Sequence, residues 1–217
     1  MKSDSEIERD VRDELAWDPR ISDSDLTVTV DSGVVTLRGE VPTLAMKFAV
    51  ERDAEHVSGV RAVVQHLNVR LPDTHVQSDG DLAQRIANAL RWDVEVPDDK
   101  VKATVENGWV TLEGTVDRDF QRVSAERAVR YLRGVRGVTN LVAINPTGVA
   151  NDVKRRIEAA LKRSAEMDAQ HIAVEASGGA VTLRGKVHSA TERREAARAA
   201  WAAPGVYSVQ DSLTVEL

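Results

Sequence analysis

The sequence predicts an α+β fold built as three tandem copies of one small domain, each running helix, strand, strand, helix, strand. Two observations carry this. The stretch GVVTLRGEV beginning at Gly33 returns as GWVTLEGTV at Gly108 and as GAVTLRGKV at Gly179. Displacing the chain by 75 residues, then by a further 71, also keeps the copies in register without an internal gap. Gly39 falls on Gly114 and Gly185, Ile7 on Leu82 and Val153, Leu15 on Leu90 and Leu161, and Leu67 on Val142 and Leu213. The domains span 1–73, 78–146 and 149–217, and only the connectors around PDTHVQSD and PTGVAND differ in length.

The elements of one copy follow in order. Ile7, Val11 and Leu15 recur at i, i+4 and i+8, one stripe of an amphipathic helix, with Asp4 placed to cap it. Next, LTVTVDSGVVTLRGEV alternates apolar and polar on either side of Asp31-Ser32-Gly33, and Asn107-Gly108 stands at the same place in the second copy. Both residues of that pair tolerate positive φ, which makes it a strong hairpin signal. Val35, Leu37, Gly39 and Val41 share one face of the second strand. Gly39, with its counterparts Gly114 and Gly185, interrupts that apolar face and reads as clearance for a helix crossing the sheet. A second helix opens at Pro42 or Asp117, carries Phe48, Val57, Val123 and Leu132 along one side, and stops at Gly59, Gly134 or Gly205. Val63, Leu67 and Val69 make the last strand. A domain of about 70 residues is near the small end of self-sufficiency. The sheet face that the helices leave open, where Trp109 points, is therefore the expected place for domains to support one another.

Composition bounds the function. The chain has no cysteine, hence no disulfide, thiolate metal site or thiol nucleophile. No window approaches the roughly 18 apolar residues of a membrane span, and MKSDSEIERDVRDELAW lacks the apolar run of a signal peptide. A cytoplasmic location, with peripheral association to a membrane, is the expectation. The net charge of −6 lies almost wholly in the first third, where 15 acidic residues face 9 basic ones over residues 1–75. That argues against nucleic acid as a partner.

These residues resemble a known family. WDPRI, VTVDSGVVTLRGEV and GVRAVVQHLNV in the first copy, ATVENGWVTLEGTV and GVTNLVAI in the second, and VEASGGAVTLRGKV and GVYSVQDSLTV in the third are similar to the BON domain (bacterial OsmY and nodulation). The resemblance implies a three-stranded mixed sheet with two helices packed on one face. It also implies bacterial origin, a link to osmotic or envelope stress as in osmotically inducible periplasmic proteins, and, in some members, binding to anionic phospholipid. Another relative joins a BON domain to a LysM domain and senses potassium.

Candidate sites are few. Trp17 and Trp92 occupy one position, two residues past the last core leucine of the first helix and off its apolar stripe. A tryptophan at such a rim can anchor at a lipid interface; the competing reading has each one close the end of its own core. The third copy has Arg163 there. Arg52, Arg127 and Arg198 form a ladder on the second helices, able to meet phosphate groups or to lie solvated and paired. Arg118, Arg122, Arg130, Arg133 and Arg136 make the second copy's helix basic, and Arg122 and Arg130 are its candidate contacts to an acidic surface. His56, His66, His75, His171 and His188 show no metal-ligand spacing, and no nucleophile, base or phosphate-cradling motif is present. No metal, cofactor or catalytic residue is therefore expected, and the oligomeric state is not encoded in any pattern. The first reading is a non-enzymatic binding or scaffold protein acting on anionic phospholipid or another envelope component. The others are a sensor of a small solute or ion, such as potassium, at the domain interfaces, and an adaptor engaging protein partners through open sheet faces.

Overall fold

The computed structural model describes residues 2–21, 26–72, 77–145, 152–163 and 171–216. His75, most of both connectors and the outermost residues of the expected domain spans lie outside the described residues. The element order is the predicted one, three times. The first domain comprises α1 (Asp4–Trp17), β1 (Thr27–Asp31), β2 (Val34–Val41), α2 (Leu44–His56) and β3 (Ala62–Val69). The second comprises α3 (Asp79–Trp92), β4 (Val101–Glu106), β5 (Trp109–Val116), α4 (Asp119–Arg130), β6 (Gly137–Asn140) and β7 (Ala143–Ile144). The third comprises α5 (Val153–Arg163), β8 (Ile172–Ser177), β9 (Ala180–Val187), α6 (Ala190–Trp201) and β10 (Ser208–Val215).

Each sheet is mixed and three strands wide. A hairpin pairs the first two strands antiparallel, and the second helix carries the chain back so that the third pairs parallel with the second. In the second domain that last strand is interrupted: β6 and β7 both pair with β5, and the Asn140 side-chain oxygen accepts from the Val142 N–H at 3.2 Å at the break.

Three local expectations change. The cap of α1 is Ser3, in a reciprocal capping box with Glu6, and not Asp4. Asp4 sits in the first turn and reaches the hairpin instead, its carboxylate accepting from the N–H groups of Ser32 at 2.8 Å and Gly33 at 2.9 Å. Asp79 holds Asn107 and Gly108 in the same way, at 2.7 and 2.9 Å. Pro42 and Asp117 do not open the second helices: the N-caps are the next residues, Thr43 and Arg118, with Ser189 in the third domain. The strand glycine clears a neighbouring strand, not a helix. A Cβ on Gly114 would fall 2.0 Å from the Lys100 carbonyl oxygen, and one on Gly185 1.9 Å from that of His171. All three of these glycines, Gly39 included, hold φ between +130° and +141°, which side-chain-bearing residues rarely adopt.

Each domain has its own core. α1 contributes Ile7, Val11 and Leu15, the sheet Val28, Val35, Leu37, Val41 and Leu67, and α2 Val50 and Ala54. The counterparts of Val50 and Ala54 are Ala125 and Val129 on α4, and Ala196 and Ala200 on α6, all buried. The line predicted to face the core therefore turns aside in part. Val57 and Leu132 pack at the edges of their own cores, but Phe48 packs against the second domain's core and Val123 is exposed. Trp109 points to the open face as expected, its indole N–H donating to Thr139 at 2.8 Å above Gly137.

Among the described residues the domains meet chiefly through their second helices, with Val69 of β3 also packed against the second domain's core, where contact through the open sheet faces was expected. Glu55, Arg130 and Trp201 occupy one repeat position, and each reaches into another domain. Glu55 pairs with Arg194 of α6, the Arg130 guanidinium lies 4.8 Å from the centre of the Phe48 ring of α2, and that of Arg122 on α4 lies 4.6 Å from the centre of the Trp201 ring. Leu44 of α2 is buried within the second domain's core cluster. First touches third, second touches first and third touches second, a closed cycle of contacts within one chain.

Candidate functional site

Two surfaces stand out, and the first is the pair of helix ends bearing Trp17 and Trp92. Each tryptophan is the last residue of its helix, and the aspartate that follows redirects the chain toward the sheet. Asp18 accepts from the Arg20 N–H at 2.9 Å and Asp93 from the Glu95 N–H at 3.0 Å. The turn leaves both indoles outside. Trp17 is 84% exposed and Trp92 83%, with Val94 wholly exposed beside the latter. They do not close the ends of their cores. Arg163, at the same position of the third copy, is exposed as well.

The second surface is the junction. Arg122 and Arg130, read from sequence as an open basic face, turn instead into contacts between domains. Arg122 pairs with Asp119 at 2.5 Å while lying against Trp201. Arg130 lies against Phe48 and Tyr131 and donates to the Tyr131 hydroxyl at 3.1 Å. The arginine ladder is paired too. Arg52 meets Asp53 at 2.7 Å, Arg127 meets Glu95 at 3.4 Å, and Arg198 meets Glu195. Beside α2, where α4 and α6 approach it, a cavity of about 590 Å³ opens among Phe48, Glu51, Arg52, Arg130, Tyr131 and Arg194. Sequence reasoning missed this cavity. Its signal was the unlikeness of the copies: Leu44 stands where the others have Asp119 and Ala190, and Phe48 where they have Val123 and Arg194.

Electrostatics near the junction is asymmetric. Hydrogen bonds from the Arg20 side chain hold the buried Asp18 carboxyl well below the usual range. Burial pushes Asp53 up, although Arg52 donates to one of its oxygens; the other oxygen is buried with no partner among the described residues. Burial also raises Glu51, and Glu55 nearby adds to the effect.

His171 and His188 meet edge to face at 6.4 Å, and the His188 ring nitrogen lies 3.3 Å from Glu192. Among the described residues no three histidine, aspartate or glutamate side chains are grouped to hold a metal ion. No helix among them is long and apolar enough to cross a membrane.

Each of the three domains matches one known family. The model of the BON domain matches residues 3–70, 78–146 and 150–216. Osmotically-inducible protein Y of Escherichia coli (strain K12) is 35% identical over 141 residues, which cover 63% of this chain and 70% of that protein. CdsD, a structural protein of the type III secretion system of Chlamydia trachomatis, aligns over 96% of this chain and 91% of its own at 16% identity and a TM-score of 0.28. At that TM-score the likeness carries no structural argument.

Proposed function

Because the chain belongs to the BON domain family, in three tandem copies, we propose that it is a non-enzymatic, stress-related binding protein that attaches to phospholipid surfaces through Trp17 and Trp92. The link to osmotic stress and the non-catalytic role rest on the family and on the likeness to osmotically-inducible protein Y. The attachment surface rests on one observation: two indoles at equivalent positions are left more than four-fifths exposed to water. Water penalises a large apolar ring, whereas the headgroup region of a bilayer accommodates an indole with its N–H still hydrated. Arg91, exposed beside Trp92, supplies positive charge at one of the two sites. Arg122 and Arg130 serve the junction and are not contacts of this surface.

Co-sedimentation with vesicles tests the reading, comparing anionic with zwitterionic lipid at low salt. Binding to anionic vesicles is expected, with a blue shift in tryptophan emission. Burying one large side chain is worth about 1.5–3 kcal/mol, so Trp17→Ala with Trp92→Ala should lower partitioning at least about tenfold. Absence of vesicle binding, or binding that ignores both substitutions, would remove lipid as the partner of these tryptophans.

A further inference from the structure

We propose that the cavity beside α2 binds a small zwitterionic solute, with its carboxylate on Arg130 and its cationic nitrogen toward Glu51. The charges on the cavity wall select such a ligand. Its charged residues are Arg20, Arg52, Arg130, Arg194, Glu51 and Glu55. Arg20 is engaged by Asp18, Arg52 by Asp53 and Asp18, and Arg194 by Glu55. Among the described residues, two of these charges make no ion pair within 4 Å, although Lys47 and Arg194 act on Glu51 from farther off. Arg130 has only ring contacts and the Tyr131 hydroxyl. Glu51 accepts only from the Gln65 side-chain amide, at 2.9 Å.

A guanidinium with unused donors presents a rigid fork that matches a carboxylate. Its two ring neighbours hold that fork in place, so little side-chain freedom is lost on binding. Glu51 is half-buried, and burial already disfavours its ionised form; a cation brought beside it relieves that cost. A ligand carrying only negative charge would meet Glu51 unfavourably, and one carrying only positive charge would meet Arg130. A zwitterion satisfies both ends. About 590 Å³ is ample for an amino-acid-sized solute, within the range of roughly 300–1,000 Å³ usual for small-molecule sites. The wall draws on all three domains, with α2 from the first, Arg130 and Tyr131 from the second and Arg194 from the third. Occupancy therefore depends on the closed cycle of domains.

Calorimetric titration of the full chain provides the test, with glycine betaine and 4-aminobutyrate as zwitterions and acetate and tetramethylammonium as half-ligand controls. Saturable binding of at least one zwitterion is expected, at least tenfold tighter than either control. Glu51→Gln keeps the shape and the contact with Gln65, and should weaken that binding at least tenfold; Arg130→Met should do the same. Trp17→Ala should leave it unchanged, which separates this site from the lipid surface. No saturable binding of either zwitterion would overturn the proposal. So would acetate binding as tightly as the zwitterions, which would mark a simple anion site, or binding indifferent to Glu51→Gln.

Discussion

Asp18 and Asp53 share Arg52, yet they act on stability with opposite sign. The Arg52 guanidinium lies 3.5 Å from Asp18 and 2.7 Å from Asp53. Asp18 is held ionised by Arg20, its pKa depressed. Its contribution is complete above the ordinary aspartate value of about 3.9 and is lost as pH falls through the depressed folded-state value. Asp53 is raised by burial, so stability declines as pH rises from the ordinary value through the raised one. Asp18→Asn should therefore cost about 1–3 kcal/mol at pH 7, with the deficit shrinking below about pH 4. Asp53→Ala should be neutral or stabilising at pH 7. The repeats favour the second expectation, since Ala128 and Ala199 stand at the position of Asp53. Urea unfolding at pH 7 and pH 3 decides. A loss on Asp53→Ala as large as on Asp18→Asn would show that both carboxylates are structural.

At the scale of the element, the strands were legible because period-two alternation and the Asn-Gly turn are properties of the chain itself. What the strand glycine makes room for was not. Val110, Leu112 and Val116 on the apolar face of β5 are buried as the alternation requires, but the obstacle to a Cβ at Gly114 is a backbone carbonyl on the adjacent strand's approach. No pattern of side chains records that. Gly114→Ala should accordingly cost about 3 kcal/mol or more, by steric overlap and by an unfavourable φ together. Gly178 also has a positive φ, of 61°, but a methyl group there would meet no described atom within 4 Å, so Gly178→Ala should cost only about 1–2 kcal/mol. Chemical denaturation of the two variants separates the causes, and equal losses would mean that dihedral strain alone fixes the glycine. The second helices were harder to read for a related reason. α2 buries two faces, with Val50 and Ala54 toward its own sheet and Leu44 and Phe48 toward the second domain. A single apolar stripe cannot describe it.

Across the whole molecule, the duplication makes the copies visible and hides what joins them. Register, element order and cores repeat, so three domains could be read directly from the chain. The cycle of contacts uses residues that do not repeat: Glu55, Arg130 and Trp201 share one position but pair with a guanidinium, a phenyl ring and a guanidinium in turn. Such a cycle fixes the order of the domains, because exchanging any two would oppose unlike partners. The exposed helix ends were legible as candidates, but whether the indoles lay inside or outside depended on the turns at Asp18 and Asp93. The cycle also implies that stability is shared. Leu44 lies at the start of α2, yet it is buried in the second domain's core cluster. Leu44→Ala should cost about 2–5 kcal/mol, and the loss should be felt across the domain boundary. Native-state hydrogen exchange of the full chain would show it. Amides of α4 and β5 are expected to lose protection together with those of α2, while β9, in the third domain's sheet, changes less. Loss confined to the first domain would mean that the domains unfold independently and that the junction is contact without coupling.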